Sequence, residues 1–163
     1  MIIVEKQLTK AFGNLPEIQG FKPVYKWGNK DHLIKQLKLF GAEAKSPYPL
    51  IYQTSNSDND SGQKNYTETE LILVLATRVT QTELLNENRW AMSYENILWP
   101  LAQNIETLFK KSQMFVWDND FTKTTYPNYG DAEENFTTDI WDALELRFNG
   151  LKITTNCLGN FKY

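Results

Sequence analysis

The six residues LILVLA, Leu71 to Ala76, constrain the fold of this chain more than any other stretch. Successive side chains of a strand point to opposite faces, so a run that is apolar at every position is buried on both. ELILVLATRVT is therefore predicted to be a strand at the centre of its sheet.

The neighbouring elements follow from turn and helix signals. IIVEKQLTKAF spaces Ile3 or Val4, Leu8 and Phe12 at helical intervals, with Lys6 and Lys10 on the other side and Gly13 closing the helix. FKPVYKWG is aromatic and contains Pro23, which cannot donate to a ladder, so it reads as an edge strand. Asp31 is placed to cap a second helix, HLIKQLKLF, ended by Gly41. The prolines of SPYPLIYQ hold the backbone extended, and a strand begins at Leu50.

The longest helical pattern is NRWAMSYENILWPLAQNIETLFKKS. Its apolar residues recur at steps of three and four, from Trp90 and Tyr94 through Leu101 and Ile105 to Phe109. Pro100 interrupts it, at a cost of ~3 kcal/mol in a helix interior. The stripe keeps its phase across the proline, which predicts one kinked helix. MFVW then reads as a short strand, and DNDFTKTTYPNYGDAEENF as an irregular, turn-rich segment.

Two further stretches carry strong signals. TSNSDNDSGQKNYTETE joins two apolar strands by a polar run, where a hairpin needs only about 2–5 residues. It is expected to be a long exposed loop over residues 55–67. RFNGLK holds an Asn-Gly pair between alternating segments, a strong hairpin signal. A two-residue turn there puts Leu144, Leu146, Phe148, Leu151 and Ile153 on one face, and Glu145, Arg147, Lys152 and Thr154 on the other. The expected architecture is a single α+β domain over residues 1–163. It has a mostly antiparallel sheet of about five or six strands, with two main helices packed on one face.

Composition narrows the function. Net charge is −3 and the lysines are scattered, so no phosphate-tracking stripe points to nucleic acid as the main partner. The start, MIIVEKQLTKAFG, breaks its apolar residues with acid and base, unlike a signal peptide, and no run reaches the ~18 apolar residues of a membrane helix. A membrane partner is not expected. The single cysteine, Cys157, allows no intrachain disulfide, which suits a reducing cytoplasm. Aromatic residues reach 13%, a content suited both to a core and to protein–protein interfaces.

Chemistry finds little support. Cys157 and His32 are the only Cys and His, too few for a closed zinc site or a nucleophilic triad. A calcium loop starting at Ser57 puts Gly62 and Glu68 in place, but its first ligand positions fall on Ser57, Asn59 and Ser61 rather than on Asp58 and Asp60. Asp118 with Asp120, Glu133 with Glu134, and Asp139 with Asp142 could serve general acid–base work only in a shared cleft. Solvated acidic side chains are the plainer reading. No glycine motif cradles a phosphate, and no cofactor is expected.

One resemblance goes further. NRWAMSYENILWPLAQNIETLFKKS follows ELILVLATRV, and a DALEL strand feeding LKI comes near the end. This order, from Leu50 to Ile153, resembles the small neck proteins of tailed bacteriophages, chiefly tail terminators and related head–tail joining proteins. The resemblance implies a ring, often a hexamer, that caps the tail tube protein and offers a surface to the head connector or stopper protein. It places the chain in the virion, with DNA passing through the lumen, and implies no catalytic residue. Pro100, the polar run and the Tyr-rich stretch from Phe121 to Tyr129 depart from the pattern and leave the neck layer open. A ring also needs aromatic anchors at its contacts. The candidates are Trp27, Trp117, Tyr126 and Tyr129, with Trp90 shared between core and surface; in the polar run they are Asp58, Asp60, Lys64 and Tyr66. The alternatives are a non-catalytic cellular adaptor and, behind it, a small hydrolase using Asp118, Asp120 or Asp142.

Overall fold

The computed structural model describes residues 4–29, 33, 49–60, 66–79, 88, 90–112, 114–117, 121–127 and 140–154, and of 55–60, 66, 79 and 140 the backbone alone. Helix α1 (Val4–Phe12) buries Val4, Leu8, Ala11 and Phe12, the stripe its spacing dictates. Gly13 closes it, its N–H donating to the Thr9 carbonyl at 3.1 Å. Strand β1 (Val24–Trp27) leads to β2 (Leu50–Asp60) and β3 (Tyr66–Val79). A π-helix, π1 (Trp90–Leu98), continues into α2 (Trp99–Lys111). Strands β4 (Phe115–Val116), β5 (Phe121–Tyr126) and β6 (Ile140–Thr154) follow.

The strands form one six-stranded sheet in the order β1-β2-β3-β6, with β4 and β5 both on β6. β1 runs parallel to β2 and every other pairing is antiparallel. The α+β class, the sheet's mostly antiparallel character, the central position of β3 and the edge position of β1 all match the expectation. Leu71, Leu73 and Leu75 pack with α1, π1 and α2 in the main core, beside Leu144, Leu146 and Phe148 of β6. Val74 and Ala76 point the other way, into a second core with Leu50, Tyr52, Trp141 and Ala143. Each fully buried leucine contributes ~1.5–3 kcal/mol, which is why this run sits where both faces are covered. Leu33 is buried in the second core; the rest of the helix expected over HLIKQLKLF lies outside the described residues.

Three expectations are overturned. The polar run is mostly strand, not a loop over 55–67. β2 extends to Asp60 and β3 begins at Tyr66, paired from Leu50↔Ala76 to Asp60↔Thr67 with one extra residue, Thr54, at a bulge. Only 61–65 connect them, and these lie outside the described residues. Ladder hydrogen bonds come from the backbone and make no demand for apolar side chains. β6 holds the other side of the same rungs, from Tyr66↔Thr154 to Thr69↔Leu151. Thr67 and Thr69, on the helix-facing side with Leu71, are buried.

The second correction concerns Asn149-Gly150, which does not turn a hairpin. β6 passes straight through it, and the ladder with β3 steps from Leu71↔Phe148 to Thr69↔Leu151. Asn149 and Gly150 thus oppose Glu70 alone, a β-bulge. Gly150 has φ +66°, a left-handed conformation that glycine adopts without steric cost. The extra residue shifts the phase by one, so Phe148 and Leu151 are buried on the same face with Leu144, Leu146 and Ile153. A hairpin sorts the same residues to the same face. The pattern is therefore equally consistent with either backbone path, and the long partner strand β3 decides between them.

The third correction is β5. Phe121–Tyr126, expected to be irregular, pairs with β6 from Phe121↔Phe148 to Tyr126↔Ala143. Its β-branched threonines suit a strand, but Thr122 to Thr125 are exposed, so no apolar alternation announces it. β4 lies further along the same margin, at Phe115↔Ile153 and Val116↔Lys152. Residues 118–120 between them lie outside the described residues.

The helix from Trp90 to Lys111 is continuous, as expected. At Leu98, with φ −73° and ψ −43°, it changes from π to α winding, and Pro100 stands within the first two residues of α2. The wider turn upstream relieves crowding between the proline ring and the preceding turn.

Candidate functional site

The surface features of interest are aromatic, and each is positioned by the sheet or by the change in helix winding. Trp27 ends β1 and is 55% exposed. Its ring rests on Tyr25 at 5.7 Å, and Tyr25 meets Phe12 of α1 edge-on at 5.1 Å. The Tyr25 hydroxyl donates to Gln53 Oε1 at 2.5 Å, and Gln53 Nε2 donates to Glu5 Oε1 at 3.5 Å. Burial and then the Glu5 carboxylate push the Tyr25 phenol well above its ordinary range, so it stays protonated as the donor. This chain ties β1 to β2 and to α1, and so fixes the base on which Trp27 stands.

Tyr126 ends β5 and is 39% exposed. It lies opposite Ala143, on the face of the second core. Among the described residues β1 and β5 are the two margins of the sheet, separated by β2, β3 and β6. Four inter-strand steps of about 4.8 Å put those margins roughly 19 Å apart. Two of the anticipated interface residues thus stand on opposite edges of the sheet.

Trp117 has a different position. It is half-buried, packing on Phe148 at 5.3 Å, Phe121 at 5.0 Å and Phe109 at 6.4 Å. Its ring packs against the main core. Asp58 and Asp60 lie in β2, paired with Thr69 and Thr67, and Tyr66 opens β3 opposite Thr154. Lys64 and Tyr129 lie outside the described residues.

One feature escaped sequence reasoning. Trp90 and Trp99 pack edge to face at 5.3 Å, both about two-fifths exposed, with Tyr94 at 4.7 Å from Trp90. Nine residues of α-helix end on opposite sides, at 3.6 residues per turn. Nine residues of π-helix make roughly two turns and return to the same side. Pro100, next to Trp99, was the available signal for a wider winding.

Of the acidic pairs considered for acid–base work, only Asp142 lies among the described residues. Asp142 is fully buried in β6, opposite Thr77 on the helix-facing side of the sheet. Asp118, Asp120, Asp139, Glu133, Glu134, His32 and Cys157 lie outside the described residues. Among those described, no group of three or more His, Cys, Asp or Glu side chains is placed to hold a metal ion. No described helix is long and apolar enough to cross a membrane. No protein-family model matches the chain, and no curated protein matches it either.

Proposed function

We propose that this chain is a structural subunit of a tailed-phage neck. In this reading it forms a homo-oligomeric ring, a hexamer, that terminates the tail tube and joins it to the head connector. The observation that carries the reading is the placement of Trp27 and Tyr126 on opposite margins of one sheet. A closed ring is built from heterologous contacts, in which one patch meets a different patch on the next copy. Two separate edges, each ending in an exposed aromatic, supply two such patches. Tyrosine and tryptophan are the side chains most enriched where interfaces concentrate their energy. The part-buried chain from Tyr25 to Glu5 holds the Trp27 edge before any partner arrives, which lowers the ordering cost of docking.

Sedimentation velocity across a wide concentration range, followed by electron microscopy, tests the reading. A ring subunit gives closed rings, either alone or when isolated tail tubes template them. A monomer at every concentration, also in the presence of tubes, favours the second reading, a cellular adaptor.

A further inference from the structure

Asn149-Gly150 is the only Asn-Gly pair in the chain, and the fold places it at the bulge where the ladder to β3 changes register. The β3 ladder passes from Phe148 to Leu151 without a partner for either residue. On the other side the nearest described pairs are Phe121↔Phe148 on β5 and Val116↔Lys152 on β4. Both residues are half-exposed, so water reaches them. Gly150 has no Cβ to obstruct an approach to its nitrogen, and its φ of +66° takes the backbone out of the ordinary strand conformation at this residue. An ideal Cβ on Gly150 would lie 3.6 Å from Glu68 Oε1, so a carboxylate stands beside this backbone.

From this geometry we propose that Asn149 is a site of spontaneous deamidation and that Glu68 assists it. The Gly150 backbone nitrogen attacks Cγ of Asn149 and gives up its proton toward the Glu68 carboxylate. The new N–Cγ bond closes a five-membered succinimide. The Cγ–Nδ2 bond breaks, and the amide nitrogen leaves as ammonia after taking up a proton. Water then opens the ring at either carbonyl, giving aspartate or isoaspartate. Nothing is oxidised or reduced, and water is the only co-reactant.

The product alters the strand at its most irregular point. A carboxylate at 149 faces Glu70, the single residue opposite the bulge, with Glu68 next along the same face. Isoaspartate also adds an atom to the backbone between Phe148 and Leu151, both of which are fully buried. Conversion therefore loosens the end of β6 that carries Leu151 and Ile153, and old protein becomes less stable than new.

The test is timed incubation of the full-length protein at pH 8.5 and 37 °C, read by peptide mass spectrometry. The expected result is a gain of about one mass unit at Asn149, well ahead of Asn14, Asn29 and Asn104. Glu68→Gln should slow it several-fold and Gly150→Ala at least tenfold, with circular dichroism showing that both variants remain folded. A second arm follows the wild-type chain in urea. The proposal requires conversion in the folded protein to be at least as fast as in the unfolded chain. Slower conversion in the fold, or an unchanged rate in folded Glu68→Gln, overturns it.

Discussion

Trp90 and Trp99 stand edge to face, ring centroids 5.3 Å apart and planes at 84°, although nine residues and a change of helix winding separate them. The contact exists only because the first two turns are π-helical. It joins two half-exposed rings to the fully buried Tyr94, whose hydroxyl donates to the Ala143 carbonyl at 3.3 Å. An aromatic pair contributes ~0.5–1.5 kcal/mol beyond the area it buries. A double-mutant cycle on Trp90→Ala and Trp99→Ala is expected to give a coupling in that range by chemical denaturation. Trp99→Ala alone should also reduce the near-ultraviolet circular dichroism that paired indoles produce. Strictly additive losses would mean that the pair does not form.

Phe148 lies where the aromatic core is densest. It packs on Phe109 at 5.0 Å, Trp117 at 5.3 Å and Phe121 at 5.3 Å, the last stacked with planes 12° apart. Phe148→Ala should cost ~3–5 kcal/mol, since surrounding rings cannot close the cavity fully. Phe121→Ala, at the edge and half-exposed, should cost distinctly less. The ratio of the two losses, from urea midpoints at constant slope, checks the order of burial.

Among the described residues, the buried hydroxyl oxygens of Thr67 and Thr69 have no hydrogen-bond partner. On β6 their cross-strand neighbours, Ile153 and Leu151, offer none; on β2 they stand opposite Asp60 and Asp58, of which the backbone alone is described. An unpaired buried hydroxyl costs ~1–3 kcal/mol, so replacing it by a methyl of the same shape removes a penalty. Thr69→Val is expected to stabilise the protein by ~1 kcal/mol, read as a rise in thermal midpoint. A fall would show that the hydroxyl is satisfied in solution.

These residues also show how much could be read in advance. The helix stripe of α1, the central strand LILVLA and the edge position of β1 follow from apolar spacing, because burial is what spacing reports. The polar run was misjudged for the same reason. Asp58 pairs with Thr69 through the backbone, and backbone pairing leaves no trace in hydropathy. At Asn149-Gly150 the pattern was read correctly and the path was not, since a turn and a bulge sort Phe148 and Leu151 identically. Trp27 and Tyr126 were foreseen as candidate interface aromatics, Tyr126 within a stretch expected to be irregular. Their placement on opposite margins depends on strand order, which is a matter of topology. Trp99 was missed because every helical template assumed 3.6 residues per turn.

Tyr25 gives a pH dependence of definite sign. Its folded-state pKa lies above the ordinary value of 10.0, through burial first and Glu5 second. In the unfolded chain it ionises near 10, so above that pH the unfolded state binds fewer protons than the folded one. Its contribution to stability is therefore whole below about pH 9 and declines as pH rises past 10. Burial shifts Tyr52 in the same direction. Urea midpoints from pH 8 to 11.5 should fall at the alkaline end, and Tyr25→Phe should flatten that fall while lowering stability at pH 8 through loss of the bond to Gln53. An equal alkaline slope in both proteins would remove Tyr25 as the cause.

The central claim is that neighbouring copies meet head to tail, the β1 margin of one against the β5 margin of the next. Thiol cross-linking tests it most directly. Lys26→Cys and Thr125→Cys, both exposed and each next to its aromatic anchor, are placed singly in a Cys157→Ser background and treated with a short bismaleimide under assembling conditions. The account predicts a covalent dimer when the two variants are mixed and none from either alone. The chain carrying both changes should give a ladder ending at the size of the closed ring. Dimers from a single variant alone, or no cross-link between variants in assembled particles, would contradict it.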